Sequence, residues 1–96
     1  MREATVEQYL VTEAERRGGV AEKMIVPGRR GFFDRLVVMP MGRIYFVELK
    51  RPKGGRLSPH QQQRIGLYRA VGARVFLIKT IEQVDAFFAL IDSENR

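Results

Sequence analysis

Apolar residues recur along the chain at two different spacings, which separate predicted helices from predicted strands. Val6, Leu10 and Ala14 lie four residues apart, and this pattern stops at the glycine pair 18–19. The spacing predicts a first helix over about residues 4–17, opening with a capping box formed by Thr5 and Gln8. β-rich runs at 20–26, 32–39 and 43–51 predict three strands, the last two joined by a hairpin turn at 40–42.

The second half of the chain continues with a helix, a strand and a helix. Ser58, Pro59 and Gln61 supply an N-cap, a proline at the first helical position and a capping-box glutamine, so a second helix is expected from there to about residue 71. The run 74–79 is the most apolar strand, and a last helix follows another capping pattern at 80–83. The order α-β-β-β-α-β-α predicts an α/β fold with a mixed sheet flanked by helices, in one domain over residues 1–96.

Composition narrows the class of protein. The absence of Cys excludes a disulfide scaffold, a thiolate zinc site and a cysteine nucleophile. The longest apolar run, 86–91, is far shorter than a bilayer-spanning helix, so we expect no membrane partner and a soluble, intracellular protein. The net charge of +6 and the sequence pI near 10.3 favour a polyanionic partner such as nucleic acid.

Carboxylates interrupt the apolar faces of two predicted strands. Side chains alternate along a strand, so Glu48 and Lys50 share a face with hydrophobic residues, as Asp34 does on the preceding strand. A three-residue hairpin loop pairs Met39 with Arg43 and thereby places Asp34 opposite Glu48, with β-carbons ~4.5 to 5.5 Å apart. Two facing carboxylates predict a divalent-cation site, with Lys50 left to meet an anionic reactant. A buried salt-bridge cluster is the alternative interpretation.

The first helix offers a third acid. Glu7 lies on or beside the buried stripe of that helix, and Glu3, one turn earlier on the same side, competes with it for the same role. Both are also explained as solvated acids favoured by the helix dipole. Basic residues could track phosphates beside the site, although each one singly is equally well an ordinary solvated charge. They are Arg29, Arg30, Arg51, Lys53, Arg56 and Arg64.

Several short motifs together resemble one nuclease family. The residues are Gly31, Asp34-Arg35, Gly42-Arg43, the string Phe46-Val47-Glu48-Leu49-Lys50-Arg51-Pro52, then Leu57-Ser58-Pro59-x-Gln61 and Gly72. They look like the VRR-NUC domain of the PD-(D/E)xK superfamily, which implies a restriction-endonuclease-like fold. The family usually has Pro before the aspartate, whereas this chain has Phe33, which puts the local strand geometry rather than the chemistry in question.

The resemblance also implies roles for single residues. Asp34 and Glu48 would hold the metal, with the Leu49 carbonyl as a further ligand and Lys50 as the catalytic lysine. Glu7 would complete the metal site, and Gln61 would be the glutamine of the family's next helix.

The activity implied by the resemblance is a Mg²⁺-dependent endodeoxyribonuclease, with Mn²⁺ as a substitute, acting on branched DNA such as four-way junctions. Stand-alone members resemble Holliday-junction resolvases and act as homodimers, which suggests a cytoplasmic protein of bacterial or phage origin. We expect the last helix to form the dimer contact through Phe87, Phe88, Leu90 and Ile91, unless all four are buried within the monomer. A catalytically silent nucleic-acid-binding module and a basic structural or assembly protein are the competing functional interpretations.

Overall fold

A four-stranded sheet with helices on both faces organises the chain in the computed structural model, which describes residues 2–28 and 33–94. The elements are α1 (Glu3–Arg16), β1 (Val20–Lys23), β2 (Arg35–Met39), a 3₁₀ turn (Pro40–Gly42), β3 (Arg43–Leu49), α2 (Pro59–Ala70), β4 (Val75–Ile78) and α3 (Ile81–Ser93). The strands lie in the order β1-β2-β3-β4, antiparallel except for the parallel pair β3 and β4. The predicted α/β fold, its element order and its parallel crossover are confirmed.

The hairpin between β2 and β3 sets the register on which the site depends. Met41 and Gly42 adopt left-handed backbone conformations with φ of 73° and 72°, and they close the turn tightly. Met39 pairs with Arg43, as predicted, and Arg35 at the other end of β2 pairs with Val47. The ladder ends at that pair, and just beyond it the side chains of Asp34 and Glu48 are joined by a hydrogen bond.

Side chains of the two sheet faces pack into two cores of unequal size. The larger core covers one face, where α1 and α3 pack together on residues such as Val37, Val47 and Leu49. The smaller core lies under α2 and joins Ile65 to Phe33 and Val75. Glu48 projects from β3 on the face that α2 covers, because it alternates with Val47 and Leu49 along the strand.

Helix starts follow the sequence in two cases and depart from it in one. Ser58 accepts from the backbone N–H of Gln61 and the Gln61 side chain returns a bond to Ser58, so the capping box of α2 is confirmed. Thr80 caps α3 through the backbone N–H of Gln83. The capping box expected at Thr5 is wrong: α1 begins two residues earlier, at Glu3, without a side-chain cap.

Strands β1 and β2 are shorter than the pattern predicts. β1 stops at Lys23 rather than at residue 26, and β2 begins only at Arg35. Backbone pairing is the cause, since the ladder between these two strands runs from Val20 with Val38 to Lys23 with Arg35. Among the described residues beyond that ladder, the Met24 N–H donates to the Asp34 carbonyl.

The aromatic residues of α3 are buried within the monomer. Phe87, Phe88 and Ile91 are buried between α3 and the sheet, and only Leu90 remains exposed. The apolar surplus that was expected to make α3 a dimer contact is therefore absent from that helix.

No helix in the described part of the chain has the length and apolar character needed to cross a membrane.

Candidate active site

Glu48 is a charged residue placed in the interior near the end of β3. Its side chain is 1% exposed, and among the described residues it is the only polar or charged residue that is buried. Gln61, at the third position of α2, donates from Nε2 to Glu48 Oε2 over 3.1 Å. A buried carboxylate with one neutral donor is costly in free energy, so a cationic partner would stabilise it.

Asp34 lies directly beside Glu48. Its Oδ2 accepts a hydrogen bond from the Leu49 backbone N–H at 2.7 Å, and its own N–H donates to the Val47 carbonyl at 3.1 Å. These two bonds flank Glu48 on β3, and the side chains of Asp34 and Glu48 share a hydrogen bond. The structure therefore brings together the two carboxyl groups that the hairpin register predicted to face each other.

The surroundings of Glu48 favour its protonated form when no cation is present. Burial, the hydrogen bond with Asp34 and its charge raise the pKa of Glu48 to about 9. The charge of Glu3 raises this pKa further, whereas the ammonium of Lys50 lowers it. The Lys50 charge thus stabilises the ionised form of Glu48, and a divalent cation would do so more strongly.

The donor set fits Mg²⁺ as an open site. Within residues 2–28 and 33–94, no three acidic or histidine side chains are grouped closely enough to enclose a metal ion. Mg²⁺ does not require such a cage, because it is commonly held by one or two carboxylates while water and substrate phosphates fill its other positions. Asp34 and Glu48 are a pair of that kind.

Glu7 forms an ion pair with Arg35. Its Oε2 lies 2.8 Å from Arg35 Nε in an ion pair that joins α1 to β2. Arg35 also donates from Nη1 to the carbonyl of Ala21 on β1 at 2.9 Å. Of the two α1 acids left open by the sequence, Glu3 is the one whose charge acts on Glu48. Arg35 was missed as a partner of Glu7, although it directly follows Asp34 in the motif.

Gln61 has its amide orientation fixed from two sides. Its Oε1 accepts from the Ser58 N–H at 2.9 Å as part of the capping box, so its Nε2 is left to point at Glu48. The motif that starts α2 therefore also places a donor on the buried acid.

The loop between β3 and α2 lies close against Lys50. A β-carbon placed at Gly55 would collide with the backbone N and O of Arg51 and would lie 3.1 Å from Lys50 Cβ. Only glycine allows this approach. The backbone of Lys50 is held on its other side by a bond from its N–H to the Ile78 carbonyl at 3.1 Å.

The predicted basic residues that the structure describes lie on two elements, the loop after β3 and α2. Arg51, Lys53 and Arg56 are exposed on the loop between β3 and α2. Arg64 lies half-buried on α2, with its guanidinium carbon 5.9 Å from the centre of the Tyr68 ring. The two remaining members of the set, Arg29 and Arg30, lie outside the described residues.

Phe33 shows how the chain accommodates its departure from the motif. The ring is buried against Phe46 and Tyr68, with centroids 5.2 and 5.1 Å away. The next residue, Asp34, still bonds to β3. An aromatic core residue thus occupies the usual proline position without displacing the carboxylate.

Comparison with known proteins gives two close similarities. No profile of a known protein family matches the chain. A protein of Acyrthosiphon pisum secondary endosymbiont phage 1, described as "Putative nuclease p44", is 42% identical over 78 residues, which are 81% of this chain and 83% of that protein. A solved structure described as a VRR_NUC domain matches with a TM-score of 0.86 at 36% identity, over 91% of this chain and 94% of that one.

Proposed function

Because this chain belongs to the VRR-NUC nuclease family, we propose that it is a Mg²⁺-dependent endonuclease that hydrolyses phosphodiester bonds in DNA. The observation that carries the proposal is the buried Glu48 hydrogen-bonded to Asp34, with the charge of Lys50 acting on Glu48. A protein that only bound phosphates would gain from lysines and arginines, and it would have no use for two inward carboxylates.

The site residues would have different roles in the reaction. Asp34 and Glu48 would hold the cation, with the Leu49 carbonyl available as a neutral oxygen ligand. When bound, the metal supplies Lewis-acid stabilisation of negative charge on the reacting phosphate and lowers the pKa of a water molecule. Lys50 would meet the scissile phosphate or orient the attacking water, since its ammonium is close enough to Glu48 for its charge to act on that carboxyl group.

Gln61 and the α1 acids support this arrangement in different ways. Gln61 holds the Glu48 carboxyl from the α2 side, which limits its rotation. Glu3 is the α1 acid proposed to face the metal, because its charge acts on Glu48. Glu7 is proposed to hold Arg35 instead, and so to fix α1 against β2 beside Asp34.

Branched DNA and a homodimer complete the proposal. Both follow from the likeness to stand-alone resolvases, and two cuts placed symmetrically on a four-way junction call for two sites related by a two-fold axis. The net charge of +6 suits a DNA partner. Since α3 buries its aromatic residues, the contact between copies would have to use another surface.

One cleavage experiment tests the function. The purified protein is incubated with labelled four-way junction, flap, splayed and linear duplex DNA in Mg²⁺, Mn²⁺ or EDTA. We expect paired cuts on the junction with either metal, and intact DNA with EDTA. Metal-independent cleavage would contradict the metal site. The absence of cleavage on every substrate, with DNA binding retained, would favour the silent binding module.

A further inference from the structure

A cavity of about 510 Å³ opens beyond the end of β3, between the start of α1 and the loop after the strand. Arg2 and Glu3 line it from the α1 side, and Arg51, Pro52 and Lys53 line it from the loop. The carboxyl pair and Gln61 are not among its lining residues, so the cavity is a space separate from the catalytic pair.

Uncompensated positive charge characterises this cavity. Every ion pair among residues 2–28 and 33–94 uses Arg16, Arg17, Arg35 or Arg74. Arg2, Arg51 and Lys53 are exposed and take part in none of them. Three cations facing one carboxylate, that of Glu3, leave the cavity attractive to an anion.

The cavity is next to the proposed site of cleavage. Arg51 directly follows Lys50 in the chain, so their Cα atoms are ~3.8 Å apart. Glu3, on the opposite wall, is the acid whose charge acts on Glu48. An anion held between Arg2 and Lys53 would therefore lie beside the phosphate that Lys50 contacts.

A second cavity with basic residues is lined in part by a later segment of the same loop. It measures about 560 Å³ and includes Arg56, Gln62 and Lys79 among its lining residues. Residues 51–53 of the loop line the first cavity, and residues 55–57 line the second. A small anion would need only one such place, whereas a nucleic-acid strand carries charges at regular intervals and can occupy both.

We propose that the cavity lined by Arg2, Arg51 and Lys53 is a phosphate-binding subsite for the DNA strand that is cut. The phosphate next to the scissile one lies in this cavity, and the strand continues across the loop toward Arg56 and Lys79. The inference rests on the proposed function, because it assumes that the strand passes Lys50.

The test compares two lysines that carry the same charge. Lys53→Gln removes a cation from the cavity, and Lys23→Gln removes one from the exposed end of β1, which does not line the cavity. Binding of a fluorescent duplex is measured by anisotropy between 50 and 200 mM salt in EDTA, where no cleavage occurs. The loss of one phosphate contact lowers the salt slope by about 0.9, so wild-type affinity should fall ~3-fold more than that of Lys53→Gln over this range.

The expected result is a reduced slope for Lys53→Gln and for Arg2→Gln, with the wild-type slope kept by Lys23→Gln. In Mg²⁺ the two cavity variants should raise KM more than they lower kcat. Equal slopes for Lys53→Gln and Lys23→Gln would overturn the subsite. A wild-type protein that binds DNA without metal-dependent cleavage would overturn the proposed function, while the salt slopes would still decide the subsite.

Discussion

Gln61 binds Glu48 with the same side-chain amide that caps α2. The amide oxygen accepts from the Ser58 N–H at 2.9 Å, and the amide nitrogen donates to Glu48 Oε2 at 3.1 Å. The first turn of α2 and the buried carboxyl group on β3 are therefore coupled through one planar group. A local sequence signal for a helix start becomes part of the candidate active site in this way.

Gln61→Glu should separate capping from catalysis. Glutamate also serves as the third residue of a capping box, so α2 keeps its start, but the donor to Glu48 is lost and a like charge is introduced. A hydrogen bond to a charged group contributes ~1.5 to 3 kcal/mol, so we expect kcat to fall by about 10- to 100-fold. Gln63→Glu, on the exposed side of the same helix, is the matched control and should retain activity. Equal kcat values for the two variants would refute the role of Gln61.

Asp34→Asn and Glu48→Gln should each abolish cleavage with the fold retained. Each change removes one of the two anionic oxygen donors proposed for the metal. Activity should fall by several orders of magnitude, and circular dichroism should show an unchanged secondary structure. Glu22→Gln, an exposed acid on β1, is the control and should cleave normally. A fully active Asp34→Asn or Glu48→Gln protein would remove the metal site from this pair.

Glu48 should also make metal-free stability fall as the pH rises. Its pKa is near 4.5 in the unfolded chain and is raised in the folded protein, so between these values the native state binds more protons than the unfolded state. The favourable contribution is fully present below pH 4.5 and is lost as the pH rises through neutrality toward 9. The slope is at most ~1.4 kcal/mol per pH unit.

Urea denaturation in EDTA at several pH values measures this effect. Glu48→Gln cannot ionise at this position, so its free energy of unfolding should vary less than that of wild type between roughly pH 5 and pH 8. It should also exceed wild type at the higher pH, because no buried carboxylate has to be formed or kept protonated there. Parallel pH profiles for the two proteins would contradict the raised pKa.

Lys50→Ala should separate chemistry from binding. A positioned charged or proton-transferring side chain contributes ~10² to 10⁴-fold to rate, so kcat should fall by that order while DNA affinity in EDTA stays near that of wild type. Lys23→Ala provides the control for the loss of one positive charge. Loss of affinity with kcat retained would instead make Lys50 a phosphate contact.

Gly55→Ala should impair catalysis by displacing the loop. The new β-carbon would meet the Arg51 backbone rather than a flexible side chain, so Arg51 and the adjacent Lys50 must shift. We expect a kcat at least ~10-fold lower, since small misplacements of catalytic groups cost up to about 10²-fold. Gly66→Ala, on α2 with open space around it, should keep activity and raise stability by ~0.5 to 1 kcal/mol. Wild-type kcat in Gly55→Ala would show that the close approach has no effect on Lys50.

Glu3→Gln should lower activity, whereas Glu7→Gln should lower stability. Glu3 acts on Glu48, so its neutral variant should lower metal-dependent activity with little change in stability. Glu7 holds Arg35, so its variant leaves a half-buried guanidinium without its carboxylate partner and should cost ~1 to 3 kcal/mol in the free energy of unfolding. Measuring kcat and the denaturation midpoint for both variants decides the assignment. If Glu7→Gln loses activity at unchanged stability, Glu7 is the acid of the metal site.

The sequence by itself determined the elements, their order and the register of the central hairpin. These features depend on neighbours in the chain: the spacing of Val6 and Leu10, the capping residues at Ser58 and Gln61, and a three-residue turn after Met39. Side chains alternate along a strand, so a fixed turn length also fixes which residues face each other. That count predicted that the side chains of Asp34 and Glu48 would lie close together.

Tertiary structure decided which partner each side chain meets. Glu7 and Glu3 lie on one side of the same helix, and only the packing of α1 on the sheet gave Glu7 to Arg35. Likewise α3 could have presented Phe88 to a second copy, but the space beneath the helix was large enough to bury it. Helical and strand periodicities show which face of an element is apolar, but contacts between distant residues depend on how the elements pack in three dimensions, and no local pattern records that.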